Sequence, residues 1–176
     1  MNEAEHTYSR PQAWDGNAVP AELACYLDGT DLLAKTQAIR LSTVDQEGWP
    51  HASLLSAGDM VALPSDRIRF ALFPQSATCA NLMRDGRLTL TLSIAGGMCE
   101  LRLRARRLAH SLSEIPLACF EAEVETVRTH IAPYAAVTSG ITFALHEPQA
   151  VLPRWQRQIA ALRARIRPIA SSSACS

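Results

Sequence analysis

From Ile39 to Leu108 the chain reads as one short strand after another, joined by tight turns, and this limits it to a mainly antiparallel β fold. Ile39, Leu41 and Thr43 alternate with Arg40, Ser42 and Val44, the two-residue period of a strand with one buried face. Asp45 to Gly48 has turn chemistry, because Asp45 can accept from backbone ahead of it and Gly48 tolerates a positive φ. Pro50 has no N–H and belongs at the start of the next strand, expected from His51 to Ala57. A break at Gly58-Asp59 precedes Met60 to Leu63, and Pro64-Ser65-Asp66 turns into Arg67 to Phe73. Ser76 is placed to cap a helix over 77–84, closed by Asp85-Gly86. Arg87 to Ile94 and Met98 to His110 follow as strands, the second with Leu101, Leu103 and Ala105 inward and its arginines outward.

The flanks read differently. Residues 1–19 are expected to form a flexible arm and 169–176 a Ser-rich disordered tail, leaving 20–168 as a single domain. Pro20 to Leu27 reads as a short helix with proline in its first turn, ending near Asp28-Gly29, with a further turn through Leu32 and Leu33. Glu114 to Ile131 reads as a helix, with Ser113 as its cap and Pro116 in the first turn. Val137 to Leu145 reads as a returning strand. Leu152 to Ile166 reads as a terminal helix with Trp155, Ile159, Leu162 and Ile166 on one face.

Charge and composition exclude several functions. The 17 basic residues balance 17 acidic ones, so no overall field attracts nucleic acid, and the clusters at Arg102 to Arg107 and Arg154 to Arg167 read as solvated faces. Five scattered cysteines offer no Cys-x-x-Cys pair, and their odd number without an apolar leader points to free thiols in a reducing cytoplasm. No apolar run approaches the ~20 residues that span a bilayer. The chain has no nucleotide-binding Gly-rich loop, zinc spacing or nucleophile elbow. His51 and Trp49 at a hairpin end read as structural, and Trp155 as an anchor for its helix.

Four landmarks stand out: Leu41-Ser42-Thr43-Val44-Asp45 leading through Gly48 to Pro50-His51; the strand Ser53-Leu54-Leu55-Ser56; Arg67-Ile68-Arg69-Phe70 followed by Ser76-Ala77-Thr78 and Asn81-Leu82; and Asp85-Gly86-Arg87 before another apolar strand. In this order they resemble the pyridoxamine 5′-phosphate oxidase-like superfamily of FMN-binding split barrels. The resemblance covers about residues 36–110 and implies an antiparallel Greek-key split β-barrel with peripheral helices. It also implies a homodimer with FMN in a groove at the interface, and a flavin-dependent oxidoreductase acting on a small molecule.

By that resemblance Ser53, Leu54, Leu55 and Ser56 lie along the flavin. Ser76 and Thr78 meet its phosphate at the start of the short helix, where unpaired N–H groups favour an anion. The oxidase proper has an arginine where this chain has Ser53 and an Arg-Lys pair where it has Ala77-Thr78. Glu100 stands near a position where the oxidase commonly has glutamine. Arg40 is the candidate replacement cation. The C-terminal arginine motif that holds pyridoxal phosphate is not recognisable, so the oxidase's own reaction is not expected. A non-catalytic split barrel that has lost FMN, or that takes haem or a deazaflavin, is the alternative.

Overall fold

Ile39 and Leu41 are fully buried while Arg40 between them is exposed, so the two-residue period of the sequence is the inside–outside alternation of a real strand. In the computed structural model, which describes residues 12–13, 18–64, 66–108 and 116–164, the elements run β1 Gln12–Ala13, α1 Ala21–Tyr26, β2 Ile39–Val44, β3 Pro50–Leu55, β4 Met60–Leu63, β5 Arg67–Leu72, α2 Ala77–Asp85, β6 Arg87–Ile94, β7 Gly97–Arg107, β8 Ala118–His130 and α3 Pro148–Arg163. The strands form one antiparallel sheet in the order β3-β2-β6-β7-β8-β5-β4, with β1 added against β8. The sheet curls around its core as a split β-barrel.

The first turn forms as its chemistry dictates. Asp45 Oδ1 accepts from the N–H groups of Glu47 and Trp49, at 2.9 and 2.8 Å, and Gly48 adopts a φ of +89°. Trp49 itself is exposed.

Two apolar clusters sit on opposite sides of β4 and β5, because successive residues of a strand point to opposite faces. Met60, Ile68 and Phe70 turn into the curl, where Phe70 stacks on Phe120 with ring centroids 5.5 Å apart. Val61 and Ala71 turn outward, where Trp155, Ile159 and Leu162 of α3 cover them. A strand buried on both faces loses the alternation that marks a half-exposed one.

Three sequence expectations are corrected. Where a helix is expected over 114–131, the described part is instead β8, a strand from Ala118 to His130 lying between β7 and β5; 113–115 lie outside the described residues. Alanine and glutamate favour helix locally, but two neighbouring ladders outweigh that preference. A bulge also hides the period: Arg102 pairs with Thr126 and Leu103 with Val124, so Glu125 is extra and the buried set changes phase. The strand expected over 137–145 is an extended segment holding a single bridge, Gln37 to Thr142. Ala38 N–H donates to Ile141 O and Phe143 N–H to Thr36 O. The terminal helix starts earlier than expected, with Pro148 in its first turn; its buried face carries Trp155, Ile159 and Leu162, and Ile166 lies outside the described residues.

A buried carboxylate ties the sheet to α3. Glu121 of β8 lies directly across from Arg69 of β5 and Arg106 of β7. It accepts from Arg69 at 2.8 Å, Arg106 at 2.6 Å and Arg67 at 3.2 Å. Arg69 Nη1 also donates to the carbonyls of Leu162 and Ala164 at the end of α3, satisfying groups that the helix leaves open.

Candidate functional site

The register of β2 and β3 decides which side chains face inward. Ser53 lies opposite Leu41 and Leu55 opposite Ile39, so both share the face of the core, whereas Leu54 lies opposite Arg40 on the outer face. Beyond Leu55 the chain turns. Ser56 donates both its N–H and its hydroxyl to Asp59 Oδ2, at 2.8 and 2.6 Å, and Gly58 N–H donates to Ser56 Oγ at 3.2 Å. Asp59 Oδ1 accepts from Gln158 Nε2 of α3 at 3.2 Å. Gly58 lies so close under α3 that a Cβ there would overlap the indole of Trp155.

Helix α2 meets β3 at its N-terminus. Ser76 Oγ accepts from Cys79 N–H at 3.2 Å and its hydroxyl donates to Phe73 O at 2.8 Å, so Ser76 is a helix cap in its own right. The Thr78 hydroxyl donates to Ser53 Oγ at 3.2 Å, and Ser53 in turn lies 3.4 Å from Leu41 O. Among the described residues the N–H groups of Ala77 and Thr78 have no acceptor, as expected of the first turn. Buried Asn81 donates to Thr43 Oγ1 at 2.9 Å and pins the helix to β2.

Between these parts lies a cavity of about 620 Å³, walled by β3, the ends of β5 and α2, residues 116–117 and 141–145, and α3. Ser53, Leu54, Leu55, Ser56, Ser76 and Thr78, six of the seven residues singled out from the sequence, line it together. Arg40 does not line it; its side chain is exposed on the outer face of β2. The lining is mainly apolar, with Leu72, Leu117, Phe143 and Leu145 between polar groups contributed by α2 and α3. Leu54, Phe73 and Ile141 are cavity residues that remain more than half exposed, so the lining includes apolar side chains that also face outward.

Sequence reasoning missed the α3 wall. Arg154, Trp155 and Gln158 all line the cavity, and Arg154 has no hydrogen-bond or ion-pair partner among the described residues. The signal lay in the spacing: Arg154 and Gln158 are four apart, on one helix face, next to the buried pair Trp155 and Ile159. Away from the cavity, burial pushes the Cys99 thiol up to about 11, which keeps it protonated and inert. Among the described residues no cluster of three or more His, Cys, Asp or Glu could hold a metal ion, and no helix is long and apolar enough to cross a membrane.

No family model matches the chain. YclD, an uncharacterised protein of Bacillus subtilis, is 34% identical over 149 residues, which is 84% of this chain and 97% of YclD. Among solved structures, a candidate pyridoxamine 5′-phosphate oxidase from Lactobacillus delbrueckii superposes with a TM-score of 0.53 at 15% identity, over 65% of this chain and 97% of the other. HupZ of Group A Streptococcus superposes with a TM-score of 0.52 at 13% identity, over 68% of this chain and 98% of HupZ. The chain therefore belongs to the same family as YclD and has the split-barrel fold of the pyridoxamine 5′-phosphate oxidase-like proteins.

Proposed function

We propose that the cavity holds FMN and that the protein is a flavin-dependent oxidoreductase acting on a small molecule. The observation that carries this reading is the convergence of Ser53, Leu54, Leu55, Ser56, Ser76 and Thr78 on one cavity. At about 620 Å³ it falls in the range of roughly 300–1,000 Å³ usual for small-molecule and cofactor sites.

The residues present fit such an occupant. Leu55, Leu72 and Phe143 offer an apolar slot for a planar ring system. The α2 end offers the free N–H groups of Ala77 and Thr78, the Thr78–Ser53 hydroxyl pair and the positive end of the helix dipole to a phosphate. Thr78 is the stronger candidate of the two α2 hydroxyls, since Ser76 already caps its helix and satisfies Phe73 O. Bound flavin would supply hydride or electron transfer, while these side chains bind, orient and exclude water. This division of labour requires no acid–base pair in the chain.

We also infer that a second copy of the chain covers the exposed Leu54, Phe73 and Ile141, in keeping with the homodimer that the sequence resemblance implies. A cytoplasmic location remains part of the same reading. Titration of the full chain with FMN, read as loss of flavin fluorescence, tests the proposal. Saturation in the micromolar range supports it, and indifference to FMN overturns it in favour of a barrel that takes haem, a deazaflavin or no prosthetic group.

A further inference from the structure

The α3 wall of the cavity carries a donor and an acceptor side by side. Asp59 Oδ2 already accepts the N–H and hydroxyl of Ser56, and its carboxylate offers only acceptors. Gln158 must therefore turn its amide nitrogen toward Asp59 Oδ1, as it does at 3.2 Å, and its Oε1 the other way. Gln158 is 2% exposed, and Asp59 is its one partner among the described residues. No buried side-chain N or O atom among them lacks a partner, so Oε1 is not sealed in protein, and Gln158 is a lining residue of the cavity. One turn earlier on the same face, Arg154 lines the cavity with a guanidinium that has no protein partner among the described residues.

We propose that α3 reads the pyrimidine edge of the flavin ring, with Gln158 Oε1 accepting the N3–H and Arg154 donating to a neighbouring ring carbonyl. The assignment rests on FMN being the occupant. That edge presents an N–H donor between two carbonyl acceptors, which an acceptor beside a cationic donor complements. The placement also matches the two polar regions of the cavity. Thr78 bonds Ser53, and Gln158 reaches Asp59 beside Ser56. Ser53 and Ser56 are three residues apart, about 10 Å for extended chain. The phosphate end and the ring end of one ligand thus fall to different elements, α2 and α3. Haem has no N–H at its polar edge, so Oε1 would oppose its carboxylates.

The test is a fluorescence titration of the full chain with FMN, riboflavin and riboflavin methylated at N3. Wild-type protein should bind the methylated ligand about tenfold more weakly than riboflavin, the loss of one buried hydrogen bond. Gln158→Met should weaken FMN and riboflavin by the same factor, about tenfold, and should not weaken the methylated ligand further. Arg154→Gln, at an exposed position, should likewise weaken FMN and riboflavin equally, which guards against misfolding of the Gln158 variant. Equal wild-type affinity for riboflavin and its N3-methyl form overturns the proposal. So does an Arg154→Gln loss confined to FMN, which would make Arg154 a phosphate ligand. Failure of wild-type protein to bind FMN removes the flavin reading itself, whereas FMN binding unaffected by both substitutions removes only the role of α3.

Discussion

Thr78, buried in the first turn of α2, donates its hydroxyl proton to Ser53 Oγ on β3 across 3.2 Å, joining two elements 25 residues apart in sequence at one end of the cavity. If FMN phosphate sits there, Thr78→Val keeps the side-chain volume and removes the hydroxyl. FMN affinity should fall about tenfold or more, in line with a hydrogen bond to a charged group, while riboflavin affinity stays unchanged. Ser76→Ala should instead act mainly on stability, costing about 1 kcal/mol by loss of the helix cap, read from urea denaturation.

Gly58 permits the approach of Trp155, so Gly58→Ala should push α3 off β4 and β5. The expected cost is about 1–3 kcal/mol from overpacking. Because α3 is a wall of the cavity, FMN and riboflavin should both bind more weakly, and the two losses should match. Calorimetric melting and the two titrations on the same sample check this.

Removing the Glu121 carboxylate leaves Arg69 charged and largely out of water. Glu121→Ala should therefore cost about 3 kcal/mol, the low end for breaking a buried ion pair, because Arg67 and Arg106 keep access to solvent. Burial pushes the Glu121 carboxyl up, but the hydrogen bonds and charges of Arg69 and Arg106 outweigh this and hold it below its ordinary 4.5. Its stabilisation is thus complete above about pH 4.5 and is lost as the pH falls through the lower folded value. The urea midpoint should drop on acidification below that pH, and Glu121→Gln should flatten the drop.

Cys25 is exposed, whereas Cys79, Cys99 and Cys119 are buried, and burial holds the Cys99 thiol at about 11. Brief treatment of native protein with iodoacetamide at pH 8 should label Cys25 and leave Cys99 unmodified until urea is added. Peptide mass spectrometry reads both sites.

The barrel was legible in the sequence where one face of each strand meets solvent. β2 and β6 carry a clean alternation, and Ser76 and Gly86 mark the two ends of α2. β8 was not legible, because it is central, its charged Glu121 is buried against arginines from both neighbours, and a bulge at Glu125 shifts its period. Local composition favoured helix, and only pairing with β7 and β5 decides otherwise. The cavity was half legible for a related reason. Its β3 and α2 walls lie within the segment that resembles the split barrels, whereas Arg154 and Gln158 belong to a helix outside it and reach the cavity only through the packing of Trp155 over Gly58.

A paired titration of wild-type and Thr78→Val protein with FMN and riboflavin, following flavin fluorescence, tests most directly whether the cavity holds a flavin phosphate. With the phosphate held there, wild type should bind FMN saturably and riboflavin more weakly, and the substitution should narrow the gap between the two ligands. Absence of FMN binding to the wild-type chain, or a gap that Thr78→Val leaves unchanged, would contradict a phosphate held between α2 and β3.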